Sequence, residues 1–231
     1  VTERGSIAVV IPALNEERAL PSVLAEIPRP PVARVVVADN GSTDRTAELA
    51  RAAGAEVVWE PRRGYGAACL AALRHLAQEP PEIVVFLDGD YSDHPAELPA
   101  LVAPIEQGQA DMVIGSRTRG RRERGALSVQ QQVGNLIACR ALGLLYGVHY
   151  TDLGPFRAIR WEALRDLQME DPDWGWTVEM QIKAARRGLQ SMEIPVSYRS
   201  RIGVSKISGN LRGALRAGTK ILWVLGRYAW R

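Results

Sequence analysis

The 231-residue, 25.3 kDa chain is 46% hydrophobic and 24% charged, the make-up of a folded domain, which excludes a disordered tail protein. A chain of this size buries about 70% of its unfolded surface and needs no disulfide or metal staple. Cys69 and Cys139 lie far apart without metal-ligand spacing, and the opening residues do not read as a signal peptide, so a reducing, cytoplasmic location is expected. The formal charge of +3 is unevenly spread. Residues 194–231 carry eight basic and no acidic side chains, which leaves 21 basic against 26 acidic in the first 193. Arg117, Arg119, Arg121, Arg122 and Arg124 form a second basic cluster, and both clusters suit a polyanionic partner.

Apolar runs of strand length fall at Ile7–Pro12, Arg34–Ala38, Glu56–Glu60, Ile83–Leu87 and Met112–Ile114. Helical periodicity occupies Glu16–Glu26, Thr43–Ala53, Tyr65–Ala77 and Pro95–Gln107 between them. Parallel strands need crossover connections, so this alternation predicts an α/β fold with a mainly parallel central sheet flanked by helices. IAVVIP, RVVVAD and EIVVFLD are apolar throughout, as strands covered on both faces are, and belong at the centre of the sheet. After residue 115 come an Arg/Gly-rich loop, a long helix around Gln130–Tyr146, the segment TDLGPFRAIR, a helix around Thr177–Arg187 and a strand near Ser191–Tyr198.

No window is long and apolar enough to span a membrane; the best, Val133–Val148, is interrupted by Arg140. On a helix over 211–231, Arg212, Arg216, Lys220, Arg227 and Arg231 fall within an arc of about 100°, and apolar residues cover most of the rest. Such a C-terminal amphipathic helix either lies in a lipid interface or packs on the body with its cations in water. The chain thus divides into a domain over 1–210, with a nucleotide-binding half to 115 and an acceptor-binding half beyond it, and a basic helix over 211–231.

In an open parallel sheet, ligands bind beyond the carboxyl ends of the strands. Those ends are polar here: Pro12-Ala13-Leu14-Asn15-Glu16, Asp39-Asn40-Gly41-Ser42-Thr43-Asp44, and Asp88-Gly89-Asp90. Each alone is explained by a cap or a turn. Together they gather carboxylates that repel one another and call for a cation. Asp88 and Asp90 suit a hard divalent ion, Mg²⁺ or Mn²⁺, which takes one or two carboxylates and completes its shell with water and phosphate oxygens. Gly64-Tyr65-Gly66-Ala67-Ala68-Cys69 comes close to a dinucleotide-binding G-x-G-x-x-G, but a delayed turn and the third small position argue against that reading. A sugar-1-phosphate nucleotidyltransferase is disfavoured because the first strand leads into PALNE rather than a glycine-rich phosphate loop.

The ordered set VVIPALNEERAL, VVVADNGSTDRT, RGYGAACLAAL, VVFLDGDYSDHPAEL, MVIGSR, TDLGPFRAIR and RIGVSK resembles glycosyltransferase family 2, in its dolichyl- or polyprenyl-phosphate sugar synthase branch. The resemblance implies a GT-A fold, a UDP- or GDP-sugar donor, a divalent metal and inverting transfer. By the same resemblance Pro12, Leu14, Asn15, Glu16, Asp39 and Gly64 would serve the nucleotide, and Asp88 and Asp90 the metal. Ser116, Arg117, Arg199, Arg201, Ser205 and Lys206 would hold an acceptor phosphate. Asp152 would orient the acceptor or act as base, its alternative being a cap or a partner of Arg157. Glu179 would lie near the donor sugar, its alternative being an exposed helix residue. The family's D-x-D-x-Q-H-P is one residue longer here, with Asp93 before His94, and Gln130, Gln131 and Gln132 stand where that branch places further acceptor contacts.

The expected activity is transfer of a hexose to polyprenyl phosphate by an enzyme that is peripheral, at most, to the cytosolic face of an anionic membrane. A family member with a soluble phosphorylated acceptor is the alternative, and a non-catalytic binder of anionic ligands a more distant one; no nucleic-acid partner is expected.

Overall fold

The computed structural model describes residues 6–203 and 211–229, without the side chains of 211–217, 222 and 229. Ser205 and Lys206 lie outside the described residues, as does Arg231. Seven strands form one sheet: β1 (Ile7–Ala13), β2 (Val32–Asp39), β3 (Glu56–Trp59), β4 (Ile83–Phe86), β5 (Met112–Ser116), β6 (Arg157–Arg160) and β7 (Ser191–Pro195), in the order β3-β2-β1-β4-β6-β5-β7. The helices are α1 (Leu20–Glu26), α2 (Thr46–Ala52), α3 (Tyr65–Leu76), α4 (Leu98–Glu106), α5 (Val129–Tyr146), α6 (Trp161–Leu167), α7 (Trp176–Arg186) and α8 (Leu211–Ala229).

Alternation along the strands divides the core into two layers. Ala8, Val10, Val36, Ala38, Val84 and Phe86 meet α3, α5, α6, α7 and α8, while Ile7, Val9, Ile11, Val35, Val37 and Val85 meet α1, α2 and α4. Both faces are therefore covered, and the apolar strands β2, β1 and β4 lie side by side as their composition requires. The first helix starts at Leu20 rather than Glu16, because the Glu16 carbonyl accepts the Ala19 and Leu20 N–H groups in a turn and Pro21 opens the helix. The last strand ends at Pro195; Tyr198 instead bridges Asp93 and Arg122.

Strand β6 and helix α6 are the additions to the pattern read from the sequence. Strand β6 runs antiparallel to both β4 and β5, with Arg157 opposite Phe86 and Ile114. Its charged start is tolerated because the fully buried Arg157 guanidinium donates to the carbonyls of Leu153, Gly154 and Thr177. The reversal brings the segment leading into β6, Thr151–Phe156, to the edge where the parallel strands end. That edge carries the site.

Helix α8 packs on the body through buried Val224, Leu225 and Tyr228. Two of its cations are spent on the body: Lys220 pairs with Asp171 at 2.8 Å and Arg227 with Glu170 at 3.1 Å. Among the described residues, no helix is long and apolar enough to cross a membrane.

Candidate active site

Two cavities open along the carboxyl edge of the sheet. The first, about 380 Å³, is walled by Pro12 near the end of β1, Leu14 and Glu16 after it, Asn40 after β2, Gly64 just before α3, and Asp88 and Asp90 after β4. The second, about 280 Å³, lies between α5 and α8 and is lined by Arg117, Leu153, Pro155, Trp176, Tyr198 and Ile221, with Gln130 and Gln131 on the α5 side. Tyr65, Asp88, Trp174 and Arg201 line both and mark their junction.

The glycines around Tyr65 explain why α3 begins there. A Cβ on Gly64 would stand 2.1 Å from the Pro172 carbonyl oxygen, and one on Gly66 2.0 Å from that of Asp171. The G-x-G of this segment thus serves close backbone approach, sealed by the Ala67 N–H donating to Pro172 O at 2.8 Å. This approach carries Asp173 and Trp174 into the first cavity.

Asp88 is half-buried with its Oδ1 enclosed, and burial of the carboxyl together with the Asp90 charge pushes it up to about 7 against the opposing pull of Arg201 and the Tyr65 hydroxyl. Asp93 behind it is likewise raised, by burial and then by Asp88 and Asp90. Arg201 sits on this group, paired with Asp90 Oδ2 at 2.7 Å. Arg117 also acts on Asp88 and Asp93, yet both carboxyls stay raised, which leaves the site short of positive charge. No set of three or more metal-ligating side chains is gathered among the described residues. Two carboxylates with open positions is what a divalent ion shared with a ligand diphosphate uses.

Arg117 is clamped from behind. Its Nε and Nη2 donate to Asp152 at 2.9 and 2.7 Å, its backbone N–H donates to the same carboxylate at 2.7 Å, and its guanidinium lies 5.1 Å from the Tyr198 ring centre. Burial works against this charge, but Asp152 overrides it and the guanidinium is held firmly protonated.

Several residues expected at the site do other work. Asp152, with no exposed surface, lines neither cavity and commits both oxygens to Arg117. Glu179 is also fully buried. It pairs with Lys183 at 2.7 Å and accepts from the Glu170 and Asp171 N–H groups and the Tyr228 hydroxyl, bracing the segment that carries Trp174. Arg199 points away, pairing with Glu26 at 2.8 Å over the Tyr91 ring. Ser116 is sealed against Thr118 and Thr151. Asp39 accepts the Ser42 N–H and Asn15 that of Thr43, so both shape the β2–α2 loop without lining the cavity. Asn40, one residue beyond Asp39, takes that place, with its side chain spanning Glu60 O, Arg62 O and Gly64 N. Tyr65, Asp173 and Trp174 are further wall residues that sequence reasoning left out of the site; the strand-edge rule points to Asn40, whereas only the fold places Trp174.

The family model described as glycosyl transferase family 2 matches residues 8–168. The chain belongs to glycosyltransferase family 2. It is 41% identical over 215 residues to an uncharacterized glycosyltransferase of Mycobacterium tuberculosis, covering 92% of this chain and 94% of the relative. It is 39% identical over 213 residues to a dolichyl-phosphate hexose transferase of Haloferax volcanii, covering 90% and 89%. Among solved structures it is similar to glucosyl-3-phosphoglycerate synthase from Mycobacterium tuberculosis in complex with Mn²⁺, UDP-glucose and phosphoglyceric acid, with a TM-score of 0.75, 26% identity, and coverage of 97% of this chain and 80% of that one. The chain is therefore a glycosyltransferase with a GT-A fold.

Proposed function

We infer that this glycosyltransferase moves a hexose from a UDP- or GDP-sugar to polyprenyl phosphate, with Mg²⁺ or Mn²⁺ held by Asp88 and Asp90. The observation that carries the reading is the pair of cavities meeting at Asp88. The first ends in carboxylates suited to a metal-bound diphosphate. The second is walled by Leu153, Pro155, Trp174, Trp176 and Ile221 and holds a fixed cation, Arg117, the furnishing for one phosphate on an apolar chain.

The bound ion would supply charge stabilisation for the departing nucleoside diphosphate. Pro12, Leu14 and Asn40 wall the nucleotide's place, and Asp90, paired here with Arg201, would hold the metal together with Asp88. Arg117, kept charged and rigid by Asp152, fixes the acceptor phosphate on the opposite side of the junction. A phosphate monoester already carries negative charge on its attacking oxygen, so the reaction needs orientation more than a proton acceptor.

A lipid acceptor requires access to a membrane, and here the structure shifts attention from α8 to α5. Val133, Leu136, Ile137 and Leu144 are all exposed on one side of α5, Leu144 to 88%, with Arg140 among them and Arg121, Arg122 and Arg124 just ahead. An apolar stripe flanked by cations, on the helix whose Gln130, Gln131, Gly134 and Asn135 line the second cavity, suits an anionic lipid surface.

The reading is tested by offering the enzyme a short-chain prenyl phosphate and 3-phosphoglycerate together, with radiolabelled UDP-glucose or GDP-mannose and Mn²⁺. Label extracted with the prenyl product is expected. Label only on phosphoglycerate would assign the soluble acceptor instead.

A further inference from the structure

Helix α8 touches both cavities. Its Gly218 and Ile221 line the second, and its buried Val224 packs beside Gly175, at the end of a loop that walls the first. That loop, Asp171–Gly175, brings Asp173 and Trp174 to the first cavity, and Trp174 reaches the second as well. A wall built from a loop serves a ligand well only when its backbone is fixed beforehand, because ordering it on binding weakens affinity.

Three sets of contacts fix this one. The carbonyls of Asp171 and Pro172 lie flush on Gly66 and Gly64, and that of Pro172 accepts the Ala67 N–H. The Glu179 carboxylate accepts the Glu170 and Asp171 N–H groups. The third set belongs to the Asp171 side chain, whose Oδ1 accepts the N–H groups of Asp173 at 2.8 Å and Gly175 at 3.2 Å, one on either side of Trp174. This carboxylate is only 5% exposed, and its Oδ2 is paired with Lys220 Nζ of α8 at 2.8 Å. Gly175 leaves room for the pair, since a Cβ there would stand 2.5 Å from Oδ2 and 2.7 Å from Val224 Cγ2. A buried carboxylate that loses its cation is left uncompensated, and the turn it gathers loosens with it.

Resting on the glycosyl-transfer reading above, we propose that Lys220 is a positioning residue for the donor. By pairing with Asp171 it sets the Asp171–Gly175 loop so that Asp173 and Trp174 wall the nucleotide-sugar's cavity, which makes the C-terminal helix a working part of the donor site.

The test measures affinity for UDP and for GDP with Mn²⁺, by calorimetry well below Tm, and amide exchange of residues 171–175 by mass spectrometry. Lys220→Met is expected to bind the nucleotide about 5- to 30-fold more weakly, the worth of one or two wall contacts. The Asp173 and Gly175 amides should exchange about tenfold faster or more. Lys220→Arg keeps the charge and should stay within about threefold of the wild type, a limit also expected of Lys220→Met with Asp171→Asn, which strands no charge and keeps an oxygen for the two N–H groups. Lys220→Met with Asp171→Ala likewise strands no charge, so it remains informative if Lys220→Met unfolds, but it loses that oxygen and should bind as weakly as Lys220→Met. Arg227→Met, which cuts the other ion pair of α8, should leave affinity and exchange within about twofold. A Lys220→Met protein that melts lower yet binds nucleotide like the wild type would reduce the pair to a stabilising contact and overturn the proposal. Unchanged exchange of the loop, equal affinities of the two double variants, or an equal loss from Arg227→Met would overturn it too. A wild type that binds neither nucleotide would contradict the glycosyl-transfer reading itself, and the proposal with it.

Discussion

Replacing Asp152 by Asn separates a structural clamp from a catalytic base. The carboxylate has no exposed surface and receives three N–H groups from Arg117, whose side chain keeps only 13% exposure. Removing one partner of a buried ion pair costs about 3–5 kcal/mol, and the one acceptor oxygen kept by the amide returns about 1 kcal/mol. A loss of about 2–4 kcal/mol is expected. For a chain of this length that lowers Tm by very roughly 10 °C, at about 2–4 °C per kcal/mol. Calorimetric melting and urea titration measure it, and Asp152→Leu combined with Arg117→Met should recover most of the stability because no charge is then stranded. An Asp152→Asn protein that melts with the wild type yet has lost all transfer would refute the clamp and restore a proton-accepting role.

Three further outcomes follow from the same geometry. Arg201→Ala frees Asp90, so Mn²⁺ titrated without nucleotide should bind more tightly, whereas UDP or GDP in the presence of Mn²⁺ should bind more weakly; unchanged metal affinity would mean that the 2.7 Å pair does not compete with the ion. Hydrogen bonds from Arg34, and then His75, outweigh burial and hold the Glu56 carboxyl near 2, below its usual 4.5. A depressed carboxyl contributes stability above its unfolded value and loses it as pH falls toward 2, so Glu56→Gln should flatten acid unfolding between those limits, modestly because the side chain is 37% exposed. Leu136→Glu with Leu144→Glu should weaken binding to phosphatidylglycerol vesicles several-fold without a fall in Tm, since both side chains are exposed; undiminished binding would remove α5 from the membrane account.

The parts of the fold legible in the sequence are those where a single physical signal acts locally. The apolar runs of β1, β2 and β4 place these strands side by side, and the polar residues that follow them mark the functional edge. Strand β6 escapes because RAIR has no apolar alternation; Arg157 becomes a strand residue only once the carbonyls of Leu153 and Gly154 in the preceding turn and of Thr177, 20 residues on, surround its guanidinium. The carboxylates show the same limit. A sequence displays Asp152 and Glu179 but not what their oxygens face, and the deciding partners lie 35 residues away at Arg117 and 49 away at Tyr228. The tail shows the converse case, in which a basic amphipathic pattern is real but Lys220 and Arg227 are neutralised by acids of the body.

The central claim is that Asp88 and Asp90 join a metal to a nucleotide-sugar diphosphate at the meeting of the two cavities. Calorimetric titration of UDP and of GDP, each with and without Mn²⁺, on the wild type and on the Asp88→Ala, Asp90→Ala double variant tests it most directly. The account predicts that one nucleotide binds only when the metal is present and that the double variant loses this binding. Binding that ignores both the metal and the two substitutions, or no binding of either nucleotide, would contradict it.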